Sequence, residues 1–148
     1  MIVTDEQTSE VTSEIVVFRV VQVADVLYDF SAAMATVILR EAEGARRQLS
    51  LPVALSDATA IYQAWQHVIG HRPSTGELVT FIMQEVHADV IATRIVRRDG
   101  GVYFAEFDVM TPRGRRVFDC RPSDAIALSL RQNVPAPLLI AEGLLAAT

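Results

Sequence analysis

Three observations predict an α+β fold, one domain with three helices and a largely antiparallel or mixed β-sheet. Strand-like segments fall into blocks separated by helical ones, in the order βββ, αα, βββ, αβ, and do not alternate as βαβ units do. The chain has 148 residues, the size of one ordinary domain. Hydrophobic residues make up 51% of it, enough to bury a substantial core.

Residues 1–12 read as a flexible acidic tail, leaving 13–148 as the folded domain. The β-branched run Ile15–Val23 is a strand, and an exposed strand of that kind would want a partner. Met34–Glu41 is a second strand, Glu43-Gly44 a turn, and Arg46–Val53 a third strand that closes a hairpin. Ser56 is placed to cap a helix whose apolar residues Ala58, Ile61, Tyr62, Trp65, Val68 and Ile69 follow helical spacing, with Gly70 ending it. Ser74 and Glu77 match a capping box for a second helix carrying Leu78, Val79, Phe81, Ile82 and Val86.

Val90–Val96 returns to strand. Asp99-Gly100-Gly101 is a hairpin turn, Val102–Val109 the returning strand, and Pro112-Arg113-Gly114 a second turn before Arg115–Asp119. A helix over Ser123–Gln132 follows, then a short strand at Leu138–Ile140 and a helical turn within Glu142–Ala147. Trp65, Phe81, Tyr103, Phe104 and Phe107 read mostly as core.

The formal charge is −5, which argues weakly against tight nucleic-acid binding. Its distribution is uneven. The first fourteen residues hold Asp5, Glu6, Glu10 and Glu14 and no Arg, whereas Arg94–Arg121 holds seven Arg against four acids. Every cation is Arg, the side chain whose fork grips phosphate; a bias in codon usage gives the same composition. No apolar run approaches the ~18 residues of a membrane span. The acidic N-terminus lacks a signal-peptide pattern, and Cys120 is the single cysteine, so a cytoplasmic protein without membrane partners is expected.

The stretch Asp119–Arg131 is the most informative. Arg121, Ser123 and Asp124 crowd the mouth of a helix that is otherwise apolar. Pro122 precedes Ser123, which has the hydroxyl an N-cap needs, and Asp124 suits the positive end of the helix dipole. Polar groups at the start of a buried helix must be paired, so they form either a structural network or the rim of a site.

Several motifs occur in order along the chain: Glu41–Arg47, Leu51-Pro52-Val53, Asp57–Ile61, Arg72–Thr75 and Arg121–Leu128. Together they resemble the bifunctional nuclease domain family, over roughly residues 15–145. The resemblance implies an α+β fold, a homo-oligomer, and phosphodiester hydrolysis in DNA or RNA. It also carries departures. The family's His-Asp falls where this chain has Gly76-Glu77, and its Trp-Ile-Gly falls at Ala54-Leu55 and neighbours. Activity is therefore expected to be weak or lost.

Hydrolysis needs an activated water and stabilised phosphoryl oxygens. The carboxylates available are Glu43, Asp57, Glu77, Asp119 and Asp124. Asp124, Asp57, Glu77, Arg121 and Ser123 are the candidate catalytic set, with Mg²⁺ or Mn²⁺ as an added cofactor that no compact ligand signature supports. Each has a structural alternative: a first-turn charge for Asp57, half of a capping box for Glu77, a local ion pair with Arg121 for Asp124. His67, His71 and His87 suit surface or capping roles better than a ligand role, and Arg121 beside Cys120 could lower a thiol pKa. Arg97, Arg98, Arg113, Arg115 and Arg116 flank hairpin turns and are the candidate nucleic-acid contacts if they gather at one end of the meander, the alternative being solvated turns. The alternative to a nuclease is a non-catalytic oligomeric binding or regulatory module in which Arg121–Asp124 is a polar clamp. A third option is a small-ligand binder with an anion at the start of the Ser123 helix.

Overall fold

Strand alternation decides which face each β-segment buries. The computed structural model describes residues 15–146, so the expected tail at 1–12 lies outside the described residues. Its strands are β1 (Phe18–Asp29), β2 (Met34–Glu41), β3 (Gln48–Ala54), β4 (Asp89–Asp99), β5 (Val102–Thr111), β6 (Gly114–Cys120) and β7 (Leu138–Ala141). The helices are α1 (Leu55–Trp65), α2 (Thr75–Glu85) and α3 (Pro122–Arg131), and a 3₁₀ turn follows at Glu142–Leu144. On β2 the buried apolar residues are Ala35, Val37 and Leu39; Val53, Leu51 and Leu49 of β3 lie opposite them in register. Helix α1 covers this face with Ala58, Ile61 and Ala64.

The two strand blocks form one seven-stranded sheet in the order β3-β2-β1-β7-β4-β5-β6. Strand β7 stitches the blocks together, antiparallel to β1 and parallel to β4, which makes the sheet mixed. The β1 strand therefore already has neighbours on both sides. It is also longer than its apolar run suggests. A register shift between Val23 and Asp25 breaks the alternation, and beyond it Val26 and Tyr28 resume facing inward. The edges fall on β3, which carries Pro52, and β6, which carries Arg115 and Arg116; proline and charge both discourage further pairing.

The helix boundaries differ from expectation at three places. Ala54, not Ser56, is the N-cap of α1, and no side chain caps it. That helix stops at Trp65, before Gly70, because His67 adopts a left-handed φ of 54° and the Val68 amide donates to the Gln63 carbonyl at 2.8 Å. Ser123 does not cap α3 either: Arg121 is the N-cap and Pro122 opens the helix, where its missing N–H costs nothing. The capping box of α2 forms as its sequence predicts.

Helix α3 packs on β4 and β5, and buries Ile126 completely. Helix α2 leans on α3 and buries only Thr80. Leu78, Phe81, Ile82 and Val86 stay about half exposed, so Phe81 is not core. Phe107 is core and Tyr103 packs partly buried against the core, while the Arg97 and Arg98 guanidinium groups lie over the Phe104 and Tyr103 rings. No helix among the described residues is long and apolar enough to cross a membrane.

Candidate functional site

The first turns of α1, α2 and α3 open on one cleft of about 610 Å³. Each first turn leaves amide N–H groups without intrahelical acceptors, so the rim is electropositive before any side chain is counted. Ser56 and Asp57 come from α1, Thr75 and Gly76 from α2, and Arg121 and Asp124 from α3; Ala127 and Leu128 form an apolar wall.

Arg121 holds the rim together. Its Nε and Nη2 donate to Asp124 at 2.9 and 3.1 Å, and its Nη1 and Nη2 donate to Asp57 at 3.1 and 3.3 Å. A guanidinium is a planar fork, and here both edges of the fork meet a carboxylate. Asp124 first and Asp57 second hold Arg121 in its charged form beyond its ordinary range. The Arg121 side chain nevertheless remains 63% exposed, so it faces solvent as well as its partners.

The structure brings together three of the five candidate catalytic residues: Asp57, Asp124 and Arg121. Glu77 turns away from the cleft. Its carboxylate accepts from the Ser74 amide at 3.2 Å while the Glu77 amide donates to the Ser74 hydroxyl. Those bonds, with a smaller contribution from Arg131, hold the Glu77 carboxyl below its ordinary range. Ser123 is buried behind α3 and lines a separate hollow with Pro52 and Tyr103. Cys120 lines the cleft, but burial pushes its thiol up to about 11 and Asp124 adds to the shift, so Arg121 does not activate it.

The arginine group is divided. Arg97 and Arg98 end β4, where Arg97 lies 3.9 Å from the centroid of the Phe104 ring and Arg98 5.4 Å from that of Tyr103. Arg113, Arg115 and Arg116 lie at the other hairpin, about 20 Å away along β5. They do not gather at one end of the meander, the arrangement a shared nucleic-acid contact required. Arg115 is also engaged, donating to Asp108 at 2.8 and 2.6 Å.

Two ionic knots escaped the sequence pattern. Asp108 is buried between Arg115 and Arg94, and both hold its carboxyl below the ordinary range, Arg115 more strongly. Glu41 is buried between Arg47 and Arg19, accepting from the Arg47 amide at 2.7 Å and from three guanidinium nitrogens at 2.9–3.0 Å. Arg47, the larger influence, keeps the Glu41 carboxyl at about 2. Neither carboxylate lines the cleft. Their partners lie 6 to 22 residues away in sequence, so no local spacing announces them.

The donor set does not fit Mg²⁺ or Mn²⁺ as it stands. Among the described residues no three His, Cys, Asp or Glu side chains gather as a ligand group. The cleft's two carboxylates, Asp57 and Asp124, already give all four oxygens to Arg121. A hard cation would compete with the guanidinium for those oxygens. His67 and His87 each take a left-handed φ just after a helix, and His71 is exposed in the loop between α1 and α2.

A family model described as the bifunctional nuclease domain matches residues 37–148. Two relatives come from Mycobacterium tuberculosis: uncharacterized protein MT1877 of strain CDC 1551 / Oshkosh and uncharacterized protein Rv1829 of strain ATCC 25618 / H37Rv. Each is 35% identical over 98 residues, covering 66% of this chain and 57% of the relative. The chain thus matches less than two thirds of the length of these relatives.

Proposed function

This chain belongs to the bifunctional nuclease domain family, and from that premise we propose that its cleft engages the phosphate backbone of DNA or RNA and hydrolyses phosphodiesters weakly or not at all. The observation that carries this is the meeting of Arg121, Asp57 and Asp124 at a cleft rimmed by three helix starts. Such a rim suits an anion, and the solvent-exposed Arg121 can exchange a carboxylate partner for one. Asp124 or Asp57 would take the proton from an attacking water once a phosphate draws Arg121 away. No imidazole lines the cleft, because the family's His falls at Gly76. General acid–base help of that kind is worth about 10²–10⁴-fold in rate.

Gly76 has room for a Cβ. A Cβ there would meet the Arg131 Cγ at 3.8 Å and a Leu128 methyl at 4.0 Å, both ordinary contacts. Gly76→His with Glu77→Asp should therefore fold and raise cleavage of single-stranded or duplex DNA and RNA. Parallel reactions with Mg²⁺, Mn²⁺ and a chelator test the cofactor. If neither the wild type nor this double variant cleaves any substrate under any of these conditions, the hydrolytic proposal fails.

One observation favours a second reading, a non-catalytic binding module. Arg121 saturates both carboxylates and ties α1 to α3, as a clamp would. Asp124→Asn separates the two: lost cleavage with an unchanged melting temperature supports catalysis, and a large fall in melting temperature supports the clamp. Self-association belongs to both readings. The helix-free face of the sheet leaves Val20, Leu27, Met110 and Val117 about half exposed, which supports it, and sedimentation velocity would measure it.

A further inference from the structure

We infer that Arg131 is the phosphate-holding residue at the inner end of the cleft, so that a short single-stranded oligonucleotide is held between it and Arg121. This rests on the nucleic-acid reading of the cleft and names a second contact within it. Arg131 closes α3, about 15 Å along the helix axis from Arg121. Both side chains line the same cleft, and Arg131 also borders an adjoining hollow that holds Glu77, so its guanidinium lies between the two.

The Arg131 side chain is only 10% exposed, yet it is poorly matched. A guanidinium carries five N–H donors. Among the described residues Arg131 makes one close hydrogen bond, from Nη1 to the Val68 carbonyl at 2.9 Å. Its nearest carboxylate, Glu77, stands 3.9 Å away and is committed to the α2 capping box. A buried charge with so little compensation is costly unless something else completes it.

The cleft is where that completion fits. Gly76 adds no side chain there, and its own amide and that of Thr75 belong to the first turn of α2, where N–H groups lack helical acceptors. Arg121 is different, since two carboxylates already answer its fork. The cleft thus has one exposed cation at its mouth, where a phosphate would displace a carboxylate, and one less fully matched cation inside. Its size, about 610 Å³, suits a small or single-stranded ligand.

The probe is a 5′-phosphorylated thymidine trinucleotide, titrated calorimetrically against the full chain over a series of salt concentrations. Arg131→Met should weaken binding at least tenfold and reduce the slope of log K against log salt by about one, while Arg131→Lys restores part of both. Should Arg131→Met fold poorly, Gly76→Glu tests the same point without touching the arginine. It places a carboxylate beside the Arg131 stem and should abolish binding, whereas Gly76→Ala should not. Unchanged affinity and salt slope in Arg131→Met, or no binding by the wild type at low salt, overturns the inference. Arg131-dependent binding without cleavage leaves the inference standing and removes only the hydrolytic proposal. Cleavage unaffected by Arg131→Met does the reverse.

Discussion

Glu41 and Arg121 sit at the centres of two ionic knots built with opposite stoichiometry. At Glu41 one buried carboxylate is shared by two arginines, every bond is short, and the carboxylate is 1% exposed. At Arg121 one arginine is shared by two carboxylates, and all three groups keep some contact with water. Burial commits the first knot to structure, because the Glu41 carboxylate has no solvent to turn to once the fold closes. Exposure leaves the second replaceable: a phosphate can take the place of a carboxylate on Arg121 without stranding a charge in apolar surroundings. The two knots use the same residue types, and solvent access separates them.

Mutating the centre of each knot should expose that difference most clearly. Glu41→Gln leaves Arg19 and Arg47 facing a neutral amide, and Arg47 then relies on Glu142 alone. The melting temperature should fall by roughly 10 °C, because breaking a buried pair is strongly destabilising. Thermal unfolding by circular dichroism measures it, and a fall of only a degree or two would mean that the knot is an ornament of the surface.

Acid titration should distinguish the knots next. The folded Glu41 carboxyl sits at about 2, below the ordinary 4.5, chiefly because Arg47 donates to it. A depressed carboxyl contributes stability that is fully present above the unfolded value and lost as pH falls through the folded one. The melting-temperature gap between wild type and Glu41→Gln should therefore stay constant above pH 5 and close between about 4.5 and 2. Asp108, depressed first by Arg115 and then by Arg94, should behave in the same direction in Asp108→Asn. A gap that widens on acidification would contradict both assignments.

Arg121→Gln should cost far less stability, under about 1 kcal/mol, because exposed ion pairs are screened and mobile. Its effect belongs to the cleft: binding of the phosphorylated trinucleotide should weaken while the melting temperature moves by no more than a few degrees. A large thermal loss instead would make Arg121 a staple of the Glu41 kind and favour the clamp.

What could be read in the sequence follows the range of each interaction. The capping box at Ser74 and Glu77 is complete within four residues, and it forms as read. The Asp99-Gly100-Gly101 hairpin is equally local. Arg121 and Asp124 are three residues apart, so their pairing was visible too, whereas the third member, Asp57, lies 64 residues from Arg121 and joins only because α1 and α3 pack together. Ser123 failed as a cap because Pro122 is itself comfortable at the first helical position, which moves the cap back two residues to Arg121. Arg131 carried no signal, since a lone arginine ending an apolar helix reads as a favourable dipole contact. Its burial depends on α2, and the weak apolar contact of α2 with the sheet was not visible in the helical spacing of Leu78, Phe81 and Ile82.

The two helix ends next to the cleft helices provide the smallest and most local contrast with the knots. His67 and His87 each follow a helix at φ values of 54° and 58°, a region where an L side chain crowds its own backbone. Both positions have the same exit geometry: the next amide, of Val68 or Ala88, reaches back to Gln63 or Met83 at 2.8 Å. Glycine is the usual residue at such a position because it has no Cβ to strain. Substituting it relieves about 1–2 kcal/mol in the folded state but gives the unfolded chain extra freedom, so the net gain is about 0.5–1 kcal/mol per site. His67→Gly and His87→Gly should each raise the melting temperature by roughly 1–4 °C and, lying apart, should add in the double variant. A loss of stability in either would show that the imidazole makes a compensating contact that outweighs the strain.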